Sequence, residues 1–520
     1  MIKNIISTVA VLMTVIVNIN AQDKNVKPNI ILIYADDLGI GLLGHEGQKI
    51  IKTPHIDRLA QEGIRFERAY ANMLCAPSRA SLITGLHDCH QDAFQISSGK
   101  AYINANETSL KEIESSLNGA LNPIKDEEVF LGKIAQTMAY KTAQFGKLEW
   151  GFSATDKQLK QHGWDYYLGY LDHVRAHGFY PPFLFENGKI VKYEGNTLLN
   201  CAKSGEPETI ETFKERWHME GKKVYSQDIF MNGILNYIED NKDDPFFIYF
   251  PTQLPHGPVS IPKVHNDFID DSRLTQIEKE YASMVKLLDD NVGQIIRKLK
   301  EHNLYDNTVI IFTSDNGHEI YYSKEGRVLK PYTNMKTGER FDDYKRKFYS
   351  DSGGDVFNGN GNRAGLKRSN LEGGINVPLI ISWPEKIKES GTTNRLTANY
   401  DILATIADIT GYSKKFKTDG ISFYDVLLGQ DTNEAHDFVV YSSFTGPALI
   451  SIDGWKLRTF LPHNSFELYY LPDDFQEEKD LSEKYPEKLK ELKIKLLNAC
   501  DGDFQNGHFT HRKNVKNIKL

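Results

Sequence analysis

Residues 29–37 read N-I-I-L-I-Y-A-D-D. From Asn29 to Ala35 there is no charge, no glycine and no alternation of polar with apolar residues. A strand covered on one face only would alternate, whereas a strand covered on both faces does not, as in a parallel sheet with helices on either side. Pro28 bounds the run on one side and two carboxylates on the other. The same pattern recurs at Phe246–Phe250 (FFIYF), Thr308–Phe312 (TVIIF) and Pro378–Ser382, ahead of Trp383-Pro384. Helical periodicity occupies Val129–Ala139, Gln227–Glu239, Leu274–Glu301 and Tyr400–Thr410. Strands alternating with helices predict an α/β fold, a large mostly parallel sheet flanked by helices.

Beyond Leu428 the pattern changes. Phe438–Ser442, Ala448–Ile452, Trp455–Phe460 and Glu467–Leu471 are short β-like runs separated by Gly, Asp, Pro and Asn, and Pro486–Asn498 follows with helical spacing. These predict a smaller C-terminal antiparallel sheet plus helix, over residues 429–520, after a larger α/β domain over 22–428. Tyr321–Asn362 is polar and reads as a long loop or insertion. At the start, Lys3 precedes an apolar run from Ile5 to Val17 and small or polar residues up to Ala21. That is the layout of a signal peptide, residues 1–21, so a secreted or periplasmic protein is expected. No later segment is apolar enough for stable membrane insertion.

The 520 residues carry a formal net charge of -8, and no basic stripe is visible, which argues against nucleic acid as a partner. Four cysteines, Cys75, Cys89, Cys201 and Cys500, are too few and too scattered for a disulfide framework.

Asp36-Asp37 and Asp315-Asn316 each directly follow a buried strand. In open parallel sheets ligands sit beyond the carboxyl ends of the strands, so two such pairs can converge on one cation. Their donors are all oxygens, suited to a hard ion, Ca²⁺ or Mg²⁺. The plainer alternative is helix N-capping.

Residues 73–85 read M-L-C-A-P-S-R-A-S-L-I-T-G. Pro77 favours a first helical turn, which places Cys75 at a positive helix end and Arg79 about one turn inside. The stretch C-A-P-S-R-A-S-L-I-T-G resembles the sulfatase signature C-x-P-S-R-x-x-L-x-T-G. Further elements agree in order from about residue 29 to about residue 384. Asp36-Asp37 and Asp315-Asn316 match the metal pairs, and Phe145-Gly146-Lys147 the G-K element. Pro255-His256-Gly257-Pro258 match P-H-x-P, and Gly365-Leu366-Lys367 with Glu372-Gly373-Gly374 match the late Lys and E-G-G. The chain thus resembles the arylsulfatase A-like sulfatases of the alkaline phosphatase superfamily. One position departs: many members have His two residues after the G-K lysine, and here Glu149 stands there.

The resemblance implies that Cys75 is converted to formylglycine by a maturation enzyme, and that Asp36, Asp37, Asp315 and Asn316, with the modified Cys75, hold Ca²⁺ or Mg²⁺. One hydroxyl of the aldehyde hydrate would attack sulfur and the other would expel sulfate. Arg79, Lys147 and Lys367 would offset the sulfuryl charge, and His256 would protonate the leaving alcohol. Gly169–Pro182 concentrates His173, Arg175, His177 and aromatics, and looks like a segment of bacterial polysaccharide sulfatases. A sulfated saccharide of galactose or N-acetylgalactosamine type is the expected substrate, with Arg175, His177 and His318 as candidate contacts. Two rival readings remain: a phosphodiesterase or phosphonate hydrolase of the same superfamily, and a non-catalytic sulfated-glycan binding protein.

Overall fold

The computed structural model describes residues 27–91, 129–147, 160–170, 175–203, 218–321, 327–328, 333–334, 347–430 and 435–509. The expected signal peptide, Glu149 and His173 lie outside them.

Among the described residues, ten strands form the main sheet: β1 (Asn29–Ala35), β2 (Ile64–Phe66), β3 (Lys141–Lys147), β4 (Tyr166–Tyr170), β5 (Phe183–Glu186), β6 (Lys189–Lys192), β7 (Phe246–Pro251), β8 (Thr308–Ser314), β9 (Leu379–Ser382) and β10 (Gly391–Thr393). Their spatial order is β10-β2-β9-β8-β1-β7-β3-β4-β5-β6. The five central strands, β8 to β4, are parallel throughout. The main helices are α1 (Pro54–Glu62), α2 (Cys75–Thr84), α3 (Leu131–Thr137), α4 (Ser226–Asp240), α5 (Gln276–Glu301), α6 (Asp401–Thr410) and α7 (Pro486–Ala499).

Strand β1 shows why its sequence lacks alternation. Ile31, Ile33 and Ala35 enter a core shared with α1, α4 and α5, while Ile30, Leu32 and Tyr34 enter a second core with α2, α3 and α6. Successive side chains point to opposite faces, and here both faces are covered.

The expected mostly parallel sheet with a smaller C-terminal antiparallel sheet is present, and two features add to it. The sheet is mixed, because β9 runs antiparallel to both β8 and β2, and β5 and β6 add an antiparallel hairpin at the far edge. Burial on both faces accounts for the apolar run in β9 but carries no information about strand direction. Residues 347–362, the described end of the Tyr321–Asn362 stretch, are also less loose than their polarity suggests. Ser350, Asp355 and Asn360 are buried within turns.

The C-terminal part is an antiparallel meander of β11 (Phe438–Tyr441), β12 (Ala448–Ser451), β13 (Trp455–Phe460) and β14 (Ser465–Tyr470). One face packs Val440, Leu449, Leu457 and Leu468 against Leu492 and Leu496 of α7. The other packs Val439, Tyr441 and Ile450 against Tyr70, Ile375 and Tyr400 of the larger part. Polar ties cross the same junction. Lys456 of β13, fully buried, reaches Glu372 and Glu477, each at 2.9 Å. Asp88, just after α2, accepts the Ser442 amide at 3.0 Å. The four cysteines are buried, and no disulfide joins them among the described residues.

Candidate active site at the carboxyl edge of the sheet

Parallel pairing of β1 with β8 sets Ala35 opposite Ser314, so the next residues, Asp36 and Asp315, emerge side by side. Asp37 then turns the chain in a left-handed conformation (φ 61°), which Asp tolerates better than most residues. Its amide donates to Asp315 Oδ1 at 3.0 Å, and the Leu38 amide donates to Ser314 Oγ at 3.0 Å. The Asn316 amide nitrogen donates to Asp37 Oδ1 (2.8 Å), which orients the Asn316 carbonyl oxygen away from that bond. Gly317 follows because the short helical turn Glu372–Ile375 lies directly on it. A Cβ there would collide with the Gly373 carbonyl.

Helix α2 opens at Cys75, with Leu74 extended ahead of it, and ends at Gly85 in the left-handed conformation. The thiol is buried at the positive helix end, and its sulfur and one oxygen each of Asp36 and Asp315 lie within 4.8 Å of one another. One turn on, Arg79 donates to Asp315 Oδ2 from Nε (3.0 Å) and from its terminal nitrogen (2.8 Å), and stands 3.5 Å from Asp36. Its guanidinium lies over the Tyr34 ring, 5.2 Å from the centroid.

The remaining cations come from other elements. Lys147, at the end of β3, donates to Asp36 Oδ2 at 2.8 Å. Lys367 donates to Asp37 at 2.8 Å and lies 3.1 Å from His256 Nε2. His256 places its Nδ1 on the Gly257 carbonyl and its Nε2 3.4 Å from Asp37. The His177 ring stacks on His256 (centroids 4.0 Å, interplanar 11°), with Nε2 3.3 Å from the Lys147 ammonium. Tyr321 donates its hydroxyl to Asp37, a contact that sequence reasoning missed because Tyr321 begins the stretch read as a loop.

Three carboxylates and three cations thus share one buried space. Burial alone would push the Asp36 carboxyl up, but Lys147 and Arg79 outweigh it and hold it below the usual carboxylate range. For Asp37, burial is outweighed by Lys367 and His256, and its carboxyl falls to about 2. Asp315 moves the other way: burial, and next the Asp36 charge, drive it well above the usual range despite Arg79. His256 is held well below its ordinary value by burial and then by Lys367.

The donor set fits a hard divalent cation. Among the described residues, Asp36 Oδ1 and Asn316 Oδ1 are buried acceptors that receive no hydrogen bond. They belong to the two pairs that the strand register brings together. A cation between Asp36, Asp37, Asp315 and Asn316 would satisfy both oxygens and relieve the repulsion felt by Asp315.

The structure therefore brings together Asp36, Asp37, Cys75, Arg79, Lys147, His177, His256, Asp315, Asn316 and Lys367. Two of the expected sugar contacts are buried against protein groups. Arg175 is buried, with Nε donating to the Leu199 carbonyl (2.9 Å), and anchors the turn that carries His177. His318 is fully buried, with Nδ1 3.2 Å from the Tyr281 hydroxyl and Nε2 3.4 Å from Asp355. Both ring nitrogens are engaged by protein groups, so the ring braces the 347–362 turns rather than facing a ligand.

Comparison with known proteins agrees with this geometry. Residues 28–412 match the family model described as Sulfatase, and residues 366–501 match one described as N-sulphoglucosamine sulphohydrolase, C-terminal. Over 535 residues the chain is 26% identical to an N-acetylgalactosamine-6-O-sulfatase of Bacteroides thetaiotaomicron, covering 91% of this chain and 93% of that protein. It is 26% identical to human N-acetylgalactosamine-6-sulfatase, covering 77% of this chain and 66% of that one. A solved structure from work on glycosaminoglycan metabolism by Bacteroides thetaiotaomicron superposes with a TM-score of 0.67 at 25% identity, over 91% of this chain and 99% of that one. The fold is also that of Ps i-CgsB, solved with a neocarrahexaose (TM-score 0.66, 22% identity, 94% and 97% covered).

Proposed function

The chain belongs to the sulfatase family and is a sulfuric ester hydrolase, and from that premise we propose that it desulfates a sulfated carbohydrate of galactose or N-acetylgalactosamine type. The observation that carries this reading is Cys75 beside Asp36 and Asp315 at a helix N-terminus, ringed by Arg79, Lys147 and Lys367. Its relatives named for N-acetylgalactosamine 6-sulfate support the sugar type.

Calcium is the ion the all-oxygen set favours, with magnesium the alternative. Bound there, the ion would supply positive charge at the sulfate oxygens, while the formylglycine made from Cys75 by a maturation enzyme would supply a nucleophilic hydroxyl as its hydrate. Every other role falls to side chains of this chain. Lys147 and Lys367 can swing from the carboxylates they now neutralise to the sulfate oxygens, so the site is charge-compensated with or without ligand. Arg79 holds Asp315 by two hydrogen bonds and opposes the upward push of burial and Asp36 on its carboxyl. His177, partly exposed beside Lys147, meets the substrate side of the sulfate. His256 protonates the leaving oxygen. A sulfate anion opposes the effect of Lys367 and raises the proton affinity of the ring. The apolar run at residues 5–17, read as part of a signal peptide, supports a location outside the cytoplasm, in the periplasm or secreted.

The test is sulfate release from a panel of sulfated galactose, N-acetylgalactosamine and glucosamine saccharides by protein from its native host, with and without a calcium chelator. Peptide mass analysis of the Cys75 segment runs alongside. Chelator-sensitive release from galactose-type sugars is expected. Activity confined to small aryl sulfates overturns the sugar assignment. Faster turnover of a matched aryl phosphate favours a phosphodiesterase. An unmodified Cys75 with no turnover favours a glycan-binding protein.

A further inference from the structure

Gln253 sits three residues before His256, is fully buried, and touches none of the site carboxylates among its hydrogen bonds. Its side-chain amide is nevertheless saturated. Nε2 donates to the carbonyls of Ala176 (2.5 Å) and Gly178 (2.8 Å), the two residues that flank His177. Oε1 accepts from Ser226 Oγ (2.6 Å) and Gln227 Nε2 (2.9 Å), both at the start of α4. The two carbonyls can only accept, which fixes the sense of the Gln253 amide and, through it, that of Gln227, whose Oε1 accepts the Thr252 hydroxyl (2.7 Å). The Gln253 backbone carbonyl also accepts the His256 amide at 2.9 Å. One residue is therefore bonded to the backbone on both sides of His177 and to the backbone of His256.

These two backbones come from distant parts of the chain, yet their rings stack at 4.0 Å. The Gln253 amide joins them on the backbone side. An alternative packing that moved Ala176 and Gly178 together would leave both Gln253 N–H groups without acceptors, and with them the Tyr170 hydroxyl, which also donates to the Gly178 carbonyl (2.8 Å), so the arrangement is held in one place.

We propose that Gln253 is a positioning residue: through the Ala176 and Gly178 carbonyls it fixes His177 against His256 and beside Lys147, and so sets the histidine pair that meets the sulfated substrate. This rests on the hydrolase reading above, because the pair has work to do only if a sulfate ester binds there. Displacements of about 1 Å near reacting groups are enough to cost roughly a hundredfold in rate.

The experiment is a double-mutant cycle on the matured full-length protein, using a sulfated substrate that the wild type turns over. If the wild type turns over none, the hydrolase reading fails and the cycle is not reached. Given turnover, Gln253→Met keeps the side-chain length and removes the amide. It should lower kcat at least tenfold and move the pH profile of kcat in the same way as His177→Ala. Gln253→Met with His177→Ala should be no slower than His177→Ala alone. Thermal melting of each variant separates loss of fold from loss of placement. If Gln253→Met does not fold, Ser226→Ala, which removes one bond steering the amide, is read in the same cycle by the same criteria. Losses that multiply, or a folded Gln253 variant with the kcat and pH profile of the wild type, overturn the proposal.

Discussion

His256 holds its Nδ1 proton on the Gly257 carbonyl and turns its other nitrogen toward Lys367, so its capacity to act as an acid depends on what the substrate brings. A sugar hydroxyl is a poor leaving group and needs that proton, whereas nitrophenolate leaves without it. His256→Ala should therefore lower kcat on a sugar sulfate by ~10²–10⁴-fold and on nitrophenyl sulfate by far less. Equal losses on the two substrates, measured as initial rates at saturating concentration, would remove the acid role. At this scale much of the site was legible. Asp36, Asp37, Asp315 and Asn316 declare themselves by following buried strands, and Cys75 and Arg79 by their place in a long motif. Tyr321 and Gln253 do not. A tyrosine at the edge of a polar stretch and a glutamine in a turn carry no pattern, and the Tyr321 partner, Asp37, is 284 residues away.

The same division runs through the elements. Runs such as FFIYF and TVIIF announced β7 and β8, because burial on both faces leaves no room for polar residues. The half-exposed hairpin of β5 and β6 lacks that signature, and the direction of β9 has none at all. The glycines of the D-N-G and E-G-G turns are explained only by their meeting. The Gly317 amide donates to the Gly374 carbonyl (2.9 Å), and the two backbones touch. Gly317→Ala should force the Glu372–Ile375 turn outward, destabilising the fold by about 1–3 kcal/mol and weakening divalent-ion binding through Asn316. Chemical denaturation and calcium titration would show both effects. Loss of stability with unchanged calcium affinity would mean that the turn yields without disturbing Asn316.

For the molecule as a whole, the joints between the two sheets matter most. His90, beyond the end of α2, lies between Asp419 (3.0 Å) and Asp501 (3.4 Å) and stacks on His87 (3.9 Å). The Asp419 hydrogen bond is the main cause that raises the affinity of His90 for its proton, and His90 in turn lowers both carboxyls. A raised histidine value means that the stabilisation is complete below the unfolded value, about 6.5, and fades as pH rises through the folded one. The lowered carboxyls lose their share only in acid. Hence the stability lost in His90→Gln, read from melting temperatures, should be larger near about pH 6 than near about pH 8.5. A difference that does not change with pH would show the ring to be a spacer.

Lys456 has a further consequence. Its ammonium belongs to the small sheet, yet it offsets Glu372 of the E-G-G turn, which also accepts a hydrogen bond from Tyr70 (3.1 Å). Severing the chain near residue 428 would leave Glu372 without its ammonium partner, whereas Lys456 would keep Glu477 within its own fragment, so the cost of separation falls on the larger piece. Swapping the last ninety or so residues between relatives should succeed only when Glu372, Lys456 and Glu477 are inherited as a set.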